Sequence, residues 1–292
     1  MRYYGTVIRP PSEADSYILQ ASYGCSHNRC TFCGTYPDKP FSMRPVDEVL
    51  EDIALAGQRI PDTPRVFIAD GNALVLPAAR LVTILDALGE AFPALRRVGI
   101  YASAGDILRK SDDELATLNQ KKLQIIYLGL ESGSDEVLRR VDKRADAAEM
   151  IQAVHKAKRA GIRVSVIALL GLGGVELSEQ HAADTGRVVS EMDPHYLSML
   201  TLMLVPGTPL HKQAKDGDFR LPSPEGLLAE LRAVIQNTDD RLSRCVFRTN
   251  HASNYLPLAG VLSRDKDALL ATIDQAQDRG PDALRPETWR AL

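Results

Sequence analysis

The sequence predicts an α/β protein in which a parallel sheet is covered by helices, with the proportions of a barrel. Three observations carry this. Strand-length apolar runs alternate with helix-period segments six times, and the runs are close to continuously apolar, as strands buried on both faces are. The chain has 292 residues, which suits a single barrel-type enzyme. The distinctive polar and glycine residues also follow the ends of the apolar runs, the edge where parallel α/β proteins assemble their active sites.

Residues 1–16, with Pro10-Pro11, read as an irregular lead-in. The first strand is expected at 17–22, and a cysteine-rich loop follows it. Pro45-Val46-Asp47-Glu48 opens a helix, with proline and two acids in the first turn and one face made by Val49, Leu50, Ile53 and Ala56. A strand at 65–69 ends at Asp70-Gly71-Asn72, and a helix over 77–91 leads to a strand at 97–102 that ends at Ser103. Ser111-Asp112-Asp113-Glu114 is a capping box. The fourth strand, 124–130, ends at Glu131-Ser132-Gly133-Ser134, and helices at 135–140 and 146–160 follow, the second stopped by Gly161. The fifth strand, 162–170, runs into Gly171-Leu172-Gly173-Gly174. A helix at 178–191, a sixth strand at 196–205, Pro206-Gly207-Thr208-Pro209 and a helix at 224–237 complete the series. Beyond about 240 the rhythm breaks, and a final helix is expected over 265–278. Six repeats are two short of a closed eight-stranded barrel, so the sheet is expected to stay open along one side.

Composition narrows the class. With 35 Lys and Arg against 38 Asp and Glu, the net charge of −3 gives no general attraction to nucleic acid. The clusters Arg96-Arg97 and Lys121-Lys122 read as solvated helix faces. Residues 1–5 carry no signal-peptide core, and no run of 18 apolar residues is present, so a cytoplasmic protein without a membrane span is expected. In that compartment clustered cysteines are metal ligands or redox groups rather than a disulfide scaffold.

Cys25, Cys30 and Cys33 fall within nine residues of one loop. A zinc knuckle, redox thiols and a [4Fe–4S] cluster with one iron left without a protein ligand are the competing readings. Zinc asks for a fourth ligand, yet there is no second Cys-x-x-Cys and Cys245 stands alone; His27 reads as a loop residue. Three ligands and an open position favour a site that holds something further. The glycines at 171–174 do not make a dinucleotide fingerprint, because position 176 is Glu176.

The cluster, with Phe32 before its last cysteine, resembles the radical S-adenosylmethionine superfamily. Leu128-Gly129-Leu130-Glu131-Ser132-Gly133-Ser134-Asp135 and Pro206-Gly207-Thr208-Pro209 are similar to motifs of the branch with oxygen-independent coproporphyrinogen oxidase and anaerobic Mg-protoporphyrin ester cyclase. The resemblance spans roughly 17–210. It implies a partial (β/α)6 barrel, expected over 17–240; the stretch 241–292, where the rhythm breaks, is expected to be a C-terminal extension covering the substrate site. It also implies that Cys25, Cys30 and Cys33 hold a [4Fe–4S] cluster whose open iron chelates S-adenosylmethionine. Phe32 would pack near the adenine, and Asp70, Gly71 and Asn72 would accept the methionyl ammonium in place of the family's Gly-Gly-Glu. Glu131 would contact methionyl or ribose groups, with Ser165, Leu170 and Gly171 lining ribose and adenine. Ser103 joins this cofactor set by its place at a strand end, where a helix cap is the other reading. Reductive cleavage would give a 5′-deoxyadenosyl radical that abstracts hydrogen from a substrate, fed by an electron donor such as flavodoxin or ferredoxin. Two features depart from the family pattern: four residues rather than three separate Cys25 from Cys30, and Asp70-Gly71-Asn72 lacks the glutamate. No cobalamin domain precedes the barrel, which argues against the B12-dependent members.

Cys245, His251, Asn250 and Asn254 lie in the dense polar stretch 245–255. Asn250, His251 and Asn254 are candidate substrate contacts, and Cys245 and His251 candidate catalytic groups, with an inert buried thiol as the other reading of Cys245. The charge balance argues for a small organic substrate over tRNA. A tRNA-modifying enzyme and a non-catalytic haem or Fe–S carrier are the alternatives.

Overall fold

A computed structural model describes residues 1–239 and 241–291. The expected barrel boundary at 240 and the last residue, 292, lie outside the described residues. In chain order the elements are β1 (Tyr17–Gln20), β2 (Ser22–Tyr23), β3 (Ser42–Met43), α1 (Val46–Arg59), β4 (Arg65–Ala69), α2 (Ala78–Ala91), β5 (Arg97–Ala102), α3 (Ala104–Arg109), α4 (Asp112–Gln120) and β6 (Leu123–Glu131). They continue with α5 (Asp135–Arg140), α6 (Ala147–Arg159), β7 (Arg163–Leu170), α7 (Gly174–Met192), β8 (Tyr196–Thr201), α8 (Pro209–Asp216), α9 (Pro224–Gln236), β9 (Val246–Arg248), β10 (Ala259–Val261) and α10 (Leu262–Arg279). The chain forms two compact units, and β6, α6 and β7 each have residues in both.

The first unit comprises Met1–Asn28, Thr35–Leu128 and Gln152–Val164. Its strands pair in parallel, β1 with β4 (Tyr17 opposite Val66), β4 with β5 and β5 with β6. Val66, Phe67, Ile68 and Ala69 are all buried, so this strand is covered on both faces. Helices α1 and α2 pack together, and α1 turns Val49, Ile53 and Ala56 inward. The lead-in is more ordered than its sequence suggests. A 3₁₀ turn, Pro11–Glu13, buries Glu13, which accepts from the Tyr127 hydroxyl at 2.5 Å and pairs with Arg97 at 2.8 Å.

The second unit comprises Arg29–Gly34, Gly129–Ile151 and Ser165–Leu292. Here β7 pairs with β8 and β8 with β9 in parallel (Ser165 opposite Tyr196, Tyr196 opposite Val246), while β10 returns antiparallel to β9. Helix α7 packs on α9, and α9 on α10.

The α/β class and its parallel sheet hold. The differences are local. The first strand breaks at Ala21, the sixth stops at Thr201, and α7 begins at Gly174, so the last of the three glycines in 171–174 is already helical. The three-residue strands β9 and β10 and the six-residue helix α3 are too short to leave a periodic signal. Among the described residues no helix is long and apolar enough to cross a membrane.

Candidate active site

In the first unit β4 delivers Asp70-Gly71-Asn72 to the start of the cysteine loop. Asp70 is wholly buried. Its Oδ2 accepts from Lys39 Nζ at 2.8 Å, Gln20 Nε2 at 2.9 Å and the Gly24 amide at 3.2 Å. Its Oδ1 has no hydrogen-bond partner among the described residues. One oxygen is saturated and the other is a buried acceptor without a donor, an arrangement that costs about 1–3 kcal/mol unless something donates to it. Lys39 has no counterpart in the sequence reading, because nothing in its local pattern marks a lysine that will be buried.

Gly71 is required by close approach. A Cβ there would lie 2.7 Å from Cys25 Cβ and 2.8 Å from Gly24 O. Asn72 then fastens the loop: its Oδ1 accepts from the Ser26 amide at 2.9 Å, and its Nδ2 donates to Ser26 Oγ and Asp106 Oδ2, both at 2.8 Å. Ser103 is the N-cap of α3, in a reciprocal capping box with Asp106. The structure thus gives Ser103 the cap role, and gives Asn72 a full set of protein partners.

In the second unit the rest of the cysteine loop is held by its backbone. The Cys33 amide donates to Cys30 O at 3.0 Å, the Thr31 amide to Val141 O at 3.0 Å, and Thr31 O accepts from the Leu210 amide at 2.9 Å. Phe32 packs against a buried cluster of Val137, Val141, Leu172, Leu202 and Leu210. No disulfide involves Cys25, Cys30, Cys33 or Cys245. Among the described residues no three His, Cys, Asp or Glu side chains are grouped to hold a metal ion. Near Phe32's cluster a cavity of about 460 Å³, floored by Val141, Leu172 and Leu210 and edged by Arg140 and Arg220, is of small-molecule size.

Glu131 ends β6 in a left-handed conformation, φ 65°, a strained state for a residue with a side chain and one that clusters at functional sites. Its carboxylate meets Lys143 Nζ at 2.9 Å. Gly129, two residues earlier on the same strand face, leaves the room: a Cβ there would lie 2.1 Å from Glu131 Oε1. Leu170 and Gly171 are buried at the end of β7. Ser165 is five residues earlier in that strand, about 16 Å away at strand rise, so β7 does not bring it to the Leu170–Gly171 end.

The C-terminal stretch is tied to the end of β8. Asn254 is buried; its Oδ1 accepts from Thr201 Oγ1 and its Nδ2 donates to Met199 O, each at 2.9 Å. Ser253 Oγ accepts from the Thr201 amide at 3.2 Å. His251 is half-buried, with Nδ1 accepting the Ser253 amide at 3.1 Å. Burial first, and then the Arg285 charge, hold its pKa below the usual histidine value. Asn250 is exposed, and Cys245 is fully buried just before β9. Arg285 donates to the carbonyls of His251, Ala252 and Asn254, and Arg290 donates to Ser253 O.

The first unit thus offers a strand-end carboxylate with one unmet oxygen and a glycine opened for a cysteine, and the second a strained glutamate at a strand end. Residues 19–185, more than half of the chain, match the family model for the radical SAM superfamily, and the protein belongs to that superfamily. It is similar to the haem chaperone HemW of Lactococcus lactis, 23% identical over 205 residues, covering 69% of this chain and 52% of that one. Among solved structures it resembles coproporphyrinogen III oxidase (HemN) from Escherichia coli, with TM-score 0.58 at 20% identity over 76% of this chain and 51% of that one. It also resembles methylornithine synthase (PylB), with TM-score 0.54 at 17% identity over 90% of this chain and 81% of that one. These likenesses show the fold, an α/β partial (β/α)6 barrel. The chain spans about half the length of the haem chaperone it matches. The family's cofactors are a [4Fe–4S] cluster and S-adenosylmethionine.

Proposed function

We propose that this radical SAM enzyme uses Cys25, Cys30 and Cys33 as the cluster ligands, and that its substrate is a small organic molecule. The observation that supports this best is the donor set. Three thiols lie within nine residues and outside any disulfide, and a [4Fe–4S] cube with one iron open to S-adenosylmethionine takes three thiolates. Asp70 adds to the fit, since its buried Oδ1 lacks a donor and an α-ammonium is one. When bound, the two cofactors supply a 5′-deoxyadenosyl radical that removes a hydrogen atom from the substrate. Asp70 would orient the methionyl end, Glu131 would accept from methionyl or ribose groups, and the turn at Leu170–Gly171 would line the adenosyl group. Phe32 would shield that space from water. His251 and Asn250 remain candidate substrate contacts. Asn254 would serve by holding their loop, and Cys245 by packing. Residues 17–240 would form the barrel unit and 241–292 its cover, in a cytoplasmic protein reduced by a flavodoxin- or ferredoxin-type donor.

The test is anaerobic reconstitution. Iron and sulfide of about four each per chain, and 5′-deoxyadenosine formed with dithionite and S-adenosylmethionine, are expected from the wild type and not from Cys30→Ala. A colourless, zinc-loaded protein would refute the cluster assignment. The likeness to a haem chaperone supports a second reading, a haem carrier. Stoichiometric haem binding without 5′-deoxyadenosine would favour it.

A further inference from the structure

The second unit contains a buried polar chain that no motif announces. Ser132, next to Glu131, has its Oγ 2.7 Å from His181 Nδ1 and accepts the Ser134 amide at 3.0 Å. Nε2 faces the Leu169 carbonyl, which can only accept, so the neutral imidazole carries its proton on Nε2 and the Ser132 hydroxyl donates to Nδ1. Nε2 in turn lies 3.0 Å from Leu169 O and 3.5 Å from Glu230 Oε1. Glu230, on α9, accepts the Gly171 amide on Oε1 and the Ser178 hydroxyl on Oε2, each at 2.5 Å. Glu230 is 3% exposed and His181 0%.

Burial pushes the Glu230 carboxyl up to about 7 and the His181 imidazole down to about 4. The pair is therefore not an ion pair near neutral pH, and a salt bridge does not account for a buried carboxylate here. What the carboxylate does is hold a backbone. Gly171, at φ 83°, has its amide on Glu230, and a Cβ there would meet Leu221 at 2.8 Å and Leu227 at 2.9 Å. The turn after β7 is pinned from below by one carboxylate oxygen. The same network reaches the Glu131 end of β6 through Ser132.

We propose that Glu230, with His181, is a positioning residue that sets the Leu170–Gly173 turn for the adenosyl group of S-adenosylmethionine and fixes it in register with the Glu131 turn. The proposal rests on the reading above that these two turns contact the cofactor. Helix α9 then has a functional duty although it lies outside the matched segment, residues 19–185.

The experiment compares Glu230→Gln, which keeps an acceptor for the Gly171 amide, with Glu230→Leu, which has none. Val234→Ala, a buried apolar truncation on the same helix, serves as the structural control. Two quantities are read: S-adenosylmethionine affinity of cluster-loaded protein without reductant, and amide exchange of the 170–174 peptide in cluster-free protein. Glu230→Gln is expected to bind within threefold of the wild type. Glu230→Leu is expected to bind at least tenfold more weakly and to exchange its 170–174 amides at least tenfold faster. Val234→Ala is expected to lower the melting temperature with neither change. If Glu230→Leu does not fold, Ser178→Ala frees Oε2 without emptying the core and should weaken S-adenosylmethionine binding and speed 170–174 exchange, each about threefold. Wild-type affinity and exchange in Glu230→Leu, or in Ser178→Ala where it stands in, overturn the proposal, as does equal weakening by Val234→Ala. Wild-type protein that loads a cluster yet binds no S-adenosylmethionine overturns the underlying cofactor reading instead, while the exchange result still reports on the turn.

Discussion

Glu230→Gln also has a consequence for stability against pH, and its size follows from the buried pair. The Glu230 carboxyl is raised from 4.5 to about 7. The folded state thus binds that proton more tightly than the unfolded chain does. Its stabilisation is complete below pH 4.5 and is lost as pH rises through about 7. A shift of about 2.5 units corresponds to about 3 kcal/mol. His181, lowered from 6.5 to about 4 by burial, acts in the other direction: its contribution is present above 6.5 and lost as pH falls through about 4, again about 3 kcal/mol. In the wild type the two slopes oppose each other between about pH 4.5 and 6.5, so this pair leaves stability nearly flat. Glutamine does not titrate, so in the variant only the histidine slope remains. Urea unfolding of cluster-free protein at half-unit intervals from pH 4 to 8 measures this. The variant's stability minus that of the wild type should grow by about 3 kcal/mol across the range. A constant difference would refute the assignment of a neutral, buried carboxyl at Glu230.

Other predictions follow from the same geometry. Gly71→Ala places a methyl 2.7 Å from Cys25 Cβ and should lower iron per reconstituted chain at least twofold with the fold retained by circular dichroism; full iron loading would contradict the close-approach argument. Lys39→Met leaves the buried Asp70 carboxylate without its cation and should cost about 3–5 kcal/mol in urea unfolding, whereas an exposed pair would cost under about 1. Asn254→Ala removes both bonds to the end of β8 and should destabilise by about 1–3 kcal/mol. His251→Ala should leave 5′-deoxyadenosine formation intact while abolishing substrate turnover, and normal turnover would remove it from the substrate contacts.

What could be read from the sequence was what chemistry places locally. Ser111 and Glu114 form their capping box because the two groups sit three residues apart on a helix start. The Leu128-to-Asp135 motif was legible by its resemblance to a family, and its Gly129-to-Glu131 spacing is now explained by a glycine vacated for the Glu131 carboxylate. The cysteine triad suggested a ligand site by density alone. Lys39 beneath Asp70, and Glu230 beneath Gly171, were not legible, because each partnership joins residues 31 and 59 positions apart and only the fold brings them together. Asn254 shows a partnership that the sequence does not reveal either. A polar residue in a polar stretch suggested substrate contact, while the structure spends its amide on Thr201 and Met199.

The grip of Arg285 and Arg290 on residues 251–254 is made wholly to main-chain carbonyls. Such a hold is indifferent to what the gripped residues carry. The path of this loop can therefore stay constant while the side chains at 250 and 252 are exchanged, and a library at those two positions would vary what the loop presents without redrawing its course, whereas His251 also braces it through the Ser253 amide.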